Sequence, residues 1–172
     1  PESLSLGQSI DLDLIAAALS LVPEDIVTST HQPIVASVGL PFVIVELDSR
    51  LALERARSYL PVIKEIQELG VMPDILLYVR SDDDFDIRAR MFAPLDGVPE
   101  DPATGSANCA LAALLSHYKT ESTGDFGWRI AQGVEMKRPS VLEARSKKRP
   151  DSGIDVWVSG TCKMVSEGLI EI

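Results

Sequence analysis

The chain has 172 residues, 45% of them apolar, with a formal net charge of −10 and a pI near 4.6. That composition suits one globular core and excludes a disordered chain, and the acidic balance argues against a nucleic-acid partner, which needs a basic face. No apolar run approaches the roughly 18–20 residues of a membrane span, so no membrane partner is expected.

Residues 10–21 are expected to form a helix, with Asp11 or Asp13 near its start and Val22-Pro23 at its end. Residues 25–30 read as a short strand and His31 as a surface residue in a polar turn. The stretch 34–47 is rich in β-branched residues and interrupted by Gly39 and Pro41, which predicts two strand segments with a kink. Asp48-Ser49 caps a helical tract over 50–69 that Pro61 is expected to break and Gly70 to stop. The run Ile75 to Val79 reads as a strand and Asp82-Asp83-Asp84 as a hairpin tip, the commoner reading of three adjacent carboxylates than a cation site. Residues 85–91 alternate apolar and charged, the pattern of a strand with one buried face.

The stretch Gly97 to Ala110 organises the rest. Pro99 and Pro102 keep the backbone out of helix, and Asp101, Thr104 and Ser106 are all good N-cap residues. From Ala107 to Leu115 nearly every residue is apolar or small, so the helix expected over about 102–118 is buried on all sides. Its first-turn amides lack intrahelical partners and sit at the positive end of the dipole, a ready anion site. An ordinary capped core helix reads equally well from these residues alone.

Beyond this helix, 118–126 reads as a polar connection. Trp128, Ile130, Val134 and Met136 read as one strand running through Gln132-Gly133. Further strands are expected over 140–144, 154–158 and 162–165, with 169–172 closing the sheet. Residues 145–153 read as a hairpin, and the basic cluster over 137–149 as a solvated turn rather than a phosphate site. Strands on both sides of one buried helix make an α+β fold, a mostly antiparallel curved sheet or barrel wrapped around a central helix. Cys109 and Cys162 form no disulfide framework, and no secretory signal pattern is present. The chain therefore reads as cytoplasmic with free thiols. His31 and His117 are far apart and lack metal-ligand spacing, so no metal site is expected.

Arg90-Met91-Phe92-Ala93-Pro94, Gly97 and Glu100 to Ala107 together resemble the signature of the PhzF-like family of phenazine-biosynthesis-type proteins. Gly39-Leu40-Pro41-Phe42, Gln132-Gly133 and Arg138-Pro139-Ser140 extend the resemblance over most of 35–172. It implies half of a diaminopimelate epimerase-like fold, in which two similar domains wrap strands around a central helix and the active site lies between them. By this reading 1–30 connect from an N-terminal domain and 31–172 are the C-terminal one. The chain opens on Pro1, which fits initiator removal or a fragment, and the resemblance favours the fragment.

The resemblance further implies cofactor-independent acid–base isomerisation of a small carboxylated metabolite. Asp101 is the catalytic carboxylate, and Thr104, Gly105, Ser106 and Ala107 bind substrate. Diaminopimelate epimerase-type sites place a cysteine where this chain has Thr104, and Cys109 reads as packing, so two-cysteine racemisation is disfavoured. The principal base and a histidine are expected in the N-terminal domain; Glu24, Glu46 and His31 do not match their motifs. The expected partner is therefore that domain or a second copy of the chain, as in a dimer. The alternatives are a non-catalytic small-anion-binding module and an oligomerisation domain whose helix is only capped.

Overall fold

The structure, a computed structural model, describes residues 2–170. Among the described residues nine strands, β1 (Ser5–Ser9), β2 (Ile34–Ser37), β3 (Pro41–Glu46), β4 (Ile75–Arg80), β5 (Ile87–Ala93), β6 (Val98–Asp101), β7 (Gly124–Gln132), β8 (Ser140–Lys148) and β9 (Ile154–Gly160), form one sheet. Its order is β1-β2-β3-β4-β5-β7-β8-β9, with β6 also on β5. Among the described residues four α-helices complete the fold: α1 (Leu12–Ala18), α2 (Arg50–Arg55), α3 (Leu60–Glu68) and α4 (Gly105–His117).

The sheet is mixed. β3 with β4, and β5 with β7, are parallel; every other pair is antiparallel. It curls into a half-barrel around α4. Ile34, Ala36, Ile44, Leu76, Ile87 and Met91 face α4, while Val43, Val45, Ile75, Leu77 and Phe92 face α1, α2 and α3 on the other side. β3 and β4 are thus covered on both faces, which is why their sequences read as continuous apolar runs. Every Ala and Leu of α4 is at most 4% exposed, as its all-round apolar sequence requires.

Several elements depart from the sequence expectation. Residues 25–30 are not a strand: Pro23–Asp25 is a 3₁₀ turn and only Ile26 bridges to Leu47. Asp25 is held there by Arg55 and by the Val22 amide, bonds that favour a turn over a ladder. The helical tract breaks at 56–59, ahead of Pro61, because a proline fits in the first turn of α3 and obstructs only a later one. β7 ends at Gln132; Val134 and Met136 lie in a turn where Gly133 (φ +76°) and Lys137 (φ +61°) reverse the chain before Pro139. β8 continues to Lys148, so the hairpin turn is shorter than expected, and Lys148 Nζ donates to the carbonyls of His117 and Lys119 at the end of α4. Residues 161–170 do not extend the sheet; they are exposed and without regular structure, and 171–172 lie outside the described residues.

His31 is the largest departure. It is 4% exposed, its Nδ1 faces the Gln32 carbonyl at 2.8 Å and its Nε2 faces the Tyr78 hydroxyl at 2.9 Å. A polar neighbourhood in sequence disguised a tertiary burial between Tyr78 and Tyr118, on which its ring stacks.

Candidate active site

The site forms where β5 changes partner. Its first half pairs with β7, placing Gln132 opposite Ala89; its second half pairs with β6, placing Asp101 opposite Met91. The last residues of two strands, 31 positions apart in sequence, therefore meet side by side, and Gln132 Nε2 donates to the Asp101 carbonyl at 2.8 Å. Gly133 makes the approach tight. A Cβ there would lie 2.9 Å from the Pro102 carbonyl oxygen and 2.5 Å from that of Arg138, so only glycine fits.

From Asp101 the loop turns through Pro102 and Ala103 to Thr104, which precedes the first residue of α4 in extended conformation. The capping expectation is not met in the usual way. Among the described residues no side chain caps this helix end; the Thr104 hydroxyl instead donates to Asp101 Oδ2 at 2.5 Å. Gly105 and Ser106 are exposed, Asp101 and Thr104 half-buried, and Ala107 buried. A Cβ on Gly105 would meet open space. Beside it lies an open cleft of about 500 Å³ that includes Ala103, Ser140, Ser159 and Thr161 among its walls.

Two residues at the site had no assigned role in the sequence reading. Gln132 belonged to the resemblance without a function, and Asn108 is the polar exception inside an otherwise apolar helix. Both are fully buried. Asn108 Nδ2 donates to the Thr104 carbonyl and to Gln132 Oε1, each at 2.8 Å. An amide at the fourth position of a buried Ala/Leu helix was the available signal. Glu100, beside Asp101, faces elsewhere: both its oxygens accept from Arg90 at 2.9 Å, and Arg90 also donates to the carbonyls of Leu53 and Ala56. Cys109 is half-buried against the core, and burial pushes its thiol pKa up, which suits packing. Asp83 of the acidic triplet is paired with Arg88 at the expected turn.

A curled mixed sheet around one central helix, with an acidic loop at the helix N-terminus, defines a diaminopimelate epimerase-like half-barrel. The family model described as phenazine biosynthesis-like protein matches residues 7–168, and the chain belongs to that family. An uncharacterized isomerase of Clostridium acetobutylicum is 27% identical over 169 residues, covering 94% of this chain and 56% of the relative. A trans-2,3-dihydro-3-hydroxyanthranilate isomerase of Pseudomonas chlororaphis is 44% identical over 85 residues, 48% of this chain and 30% of the relative. The crystal structure of a PhzF-family phenazine biosynthesis protein from Bacillus anthracis superposes with a TM-score of 0.79 at 18% identity, covering 93% of this chain and 55% of that one. The chain spans about half the length of the first two curated relatives it matches. Among the described residues no helix is long and apolar enough to cross a membrane.

Proposed function

We propose that this chain is the C-terminal half of a two-domain isomerase that moves a proton on a small carboxylated metabolite, with the second wall of its active site supplied by an N-terminal domain. In that reading 31–172 carry this half-site and 1–30 lead in from the other domain. The observation that carries the proposal is a half-buried carboxylate, Asp101, tethered through one oxygen beside an uncapped helix N-terminus whose first residue, Gly105, lines an open cleft. The two features are complementary. The unpaired amides of Gly105, Ser106 and Ala107, with the Ser106 hydroxyl, suit a substrate carboxylate. Asp101 then sits within the same loop to take or return a proton.

The open space around Gly105 admits close approach of a ligand to the backbone. Exposed apolar residues in the segment after β9, Met164, Val165, Leu169 and Ile170, support a covering partner. The relatives' isomerase names support the reaction class, and trans-2,3-dihydro-3-hydroxyanthranilate, named for the Pseudomonas protein, is the first probe.

The test is turnover of that compound by the intact protein. Asp101→Asn keeps the shape and removes the charge, so kcat falls by about 10²–10⁴-fold with the fold intact. Ser106→Ala raises KM instead, by about 2–10-fold, the worth of one neutral hydrogen bond. Saturable binding of the probe without turnover identifies the non-catalytic anion-binding module. An Asp101→Asn protein that retains full kcat removes the catalytic assignment.

A further inference from the structure

We propose that Gln132 and Asn108 are positioning residues: they set the direction of the Thr104 hydroxyl and so leave one defined oxygen of Asp101 for the substrate. The inference rests on the reading of Asp101 given above.

Hydrogen-bond polarity fixes every group in this chain. Gln132 Oε1 lies 3.3 Å from the Thr104 amide nitrogen, and a backbone N–H only donates. Gln132 Nε2 lies 2.8 Å from the Asp101 carbonyl, and a carbonyl only accepts. Two backbone groups thus fix which end of the Gln132 amide is which; the reversed amide would set oxygen against oxygen and nitrogen against nitrogen. The same Nε2 also donates to Thr104 Oγ1 at 3.0 Å. Since Thr104 Oγ1 accepts there, its own proton goes to Asp101 Oδ2. Asp101 Oδ1 has no partner among the described residues and is the oxygen left for chemistry.

Asn108 orders the chain one step further back. Its Nδ2 is fixed as donor by the Thr104 carbonyl, and it then donates to Gln132 Oε1. In doing so it leaves its own Oδ1 buried with no hydrogen-bond partner. A residue kept only for packing would not carry that orphan; an apolar side chain of the same size would fill the space without it. What the amide adds is the donor that holds Gln132 in its working orientation.

A merely structural clamp would stitch the loop to α4 without mattering to the direction of one hydroxyl, so the test reads that direction. In the intact protein, Gln132→Glu keeps the shape and the acceptor but removes the donor, and the Thr104 hydroxyl turns from Asp101 toward residue 132. Expected are a kcat lower by about 3–10-fold on trans-2,3-dihydro-3-hydroxyanthranilate, with KM within about twofold. Thr104→Ala shows the same loss, Thr104→Ser restores it, and the Gln132→Glu/Thr104→Ala double variant is no worse than either single one. Independently of turnover, the Thr104 hydroxyl proton followed by NMR exchanges with water about tenfold faster in Gln132→Met than in the parent. Multiplying single-variant losses, or hydroxyl exchange unchanged in Gln132→Met, overturns the inference. If Gln132→Met does not fold, the same exchange measurement on Asn108→Ala decides. An Asp101→Asn protein with full activity instead removes the proposed catalytic role of Asp101. If the protein does not turn over the probe, that substrate assignment fails and the exchange measurement alone decides the positioning role.

Discussion

At the N-terminal end of α4 a chain of hydrogen bonds runs from Asn108 through Gln132 and Thr104 to Asp101. At the other end, beside Tyr118, a second chain runs from His31 through the Tyr78 hydroxyl to Glu46, whose other oxygen accepts from Arg80 at 2.7 Å. The first is built from neutral amides and one hydroxyl and ends on a half-exposed carboxylate beside the helix N-terminus, where Gly105 lines an open cleft. The second is built from titratable groups, and its carboxylate, 4% exposed, already has both oxygens occupied. A polar chain can act on a ligand only if it ends where a ligand can reach it. The Glu46 cluster closes on itself and ties β3 to β4 and to the segment before β2, which is a structural task.

A matched pair of substitutions separates the two ends of α4 by the largest margin. The Asp101→Asn change described above removes about 10²–10⁴-fold of kcat, equivalent to roughly 3–5 kcal/mol of barrier, while the melting temperature stays within a few degrees. Glu46→Ala does the reverse. It takes away the buried carboxylate that Tyr78 and Arg80 share, leaving the Tyr78 hydroxyl only His31, and costs about 2–3 kcal/mol of stability in denaturant unfolding, with KM and kcat of the folded protein unchanged. If Glu46→Ala lowers kcat of the folded fraction as strongly as Asp101→Asn, the two ends of the helix are not distinct in role.

Acid sharpens the contrast next. Burial is the largest influence on His31 and holds its pKa below the ordinary 6.5, with Arg80 adding to the effect and Glu46 opposing it. The unfolded chain therefore takes up this proton more readily than the folded one, and stability is lost as the pH falls below about 6.5. Asp74 acts in the opposite sense. Burial and the nearby Asp96 raise it to about 6, so its contribution favours the fold at low pH and is lost as the pH rises from about 4 through 6. Unfolding measured from pH 4 to 8 should thus show a steeper slope between pH 4 and 6 in Asp74→Asn, and a shallower acid loss in His31→Phe. A His31→Phe protein with the parent's pH profile would contradict the burial argument.

The smallest stability effect is expected at the Asp101 end of α4. Asn108→Leu removes two hydrogen bonds but also the orphaned Oδ1, whose burial costs about 1–3 kcal/mol. Net stability should change by no more than about 1 kcal/mol in either direction while kcat falls several-fold. A loss above about 3 kcal/mol in chemical denaturation would mean that Asn108 is held for the fold.

The half-barrel and its central helix were legible in the amino acids because each rests on a local pattern. A helix apolar on every side can only be surrounded, strands covered on both faces read as unbroken apolar runs, and the Pro-flanked acidic loop marks the helix start by itself. Asp101, Gly105 and Ser106 were named from that loop and its resemblance, and they lie together at one helix end. Only the tertiary structure decided what surrounds them. Gln132 meets Asp101 because β5 divides its edge between β6 and β7, a pairing between strands that no local spacing encodes. Asn108 looked like an interruption in an apolar run until Gln132, 24 residues on, supplied its acceptor. His31 looked like a surface residue until Tyr78, 47 residues on, enclosed it. A side chain's intrinsic polarity is written in the sequence; whether that polarity meets water or a partner is set by segments far along the chain, and burial follows from that meeting.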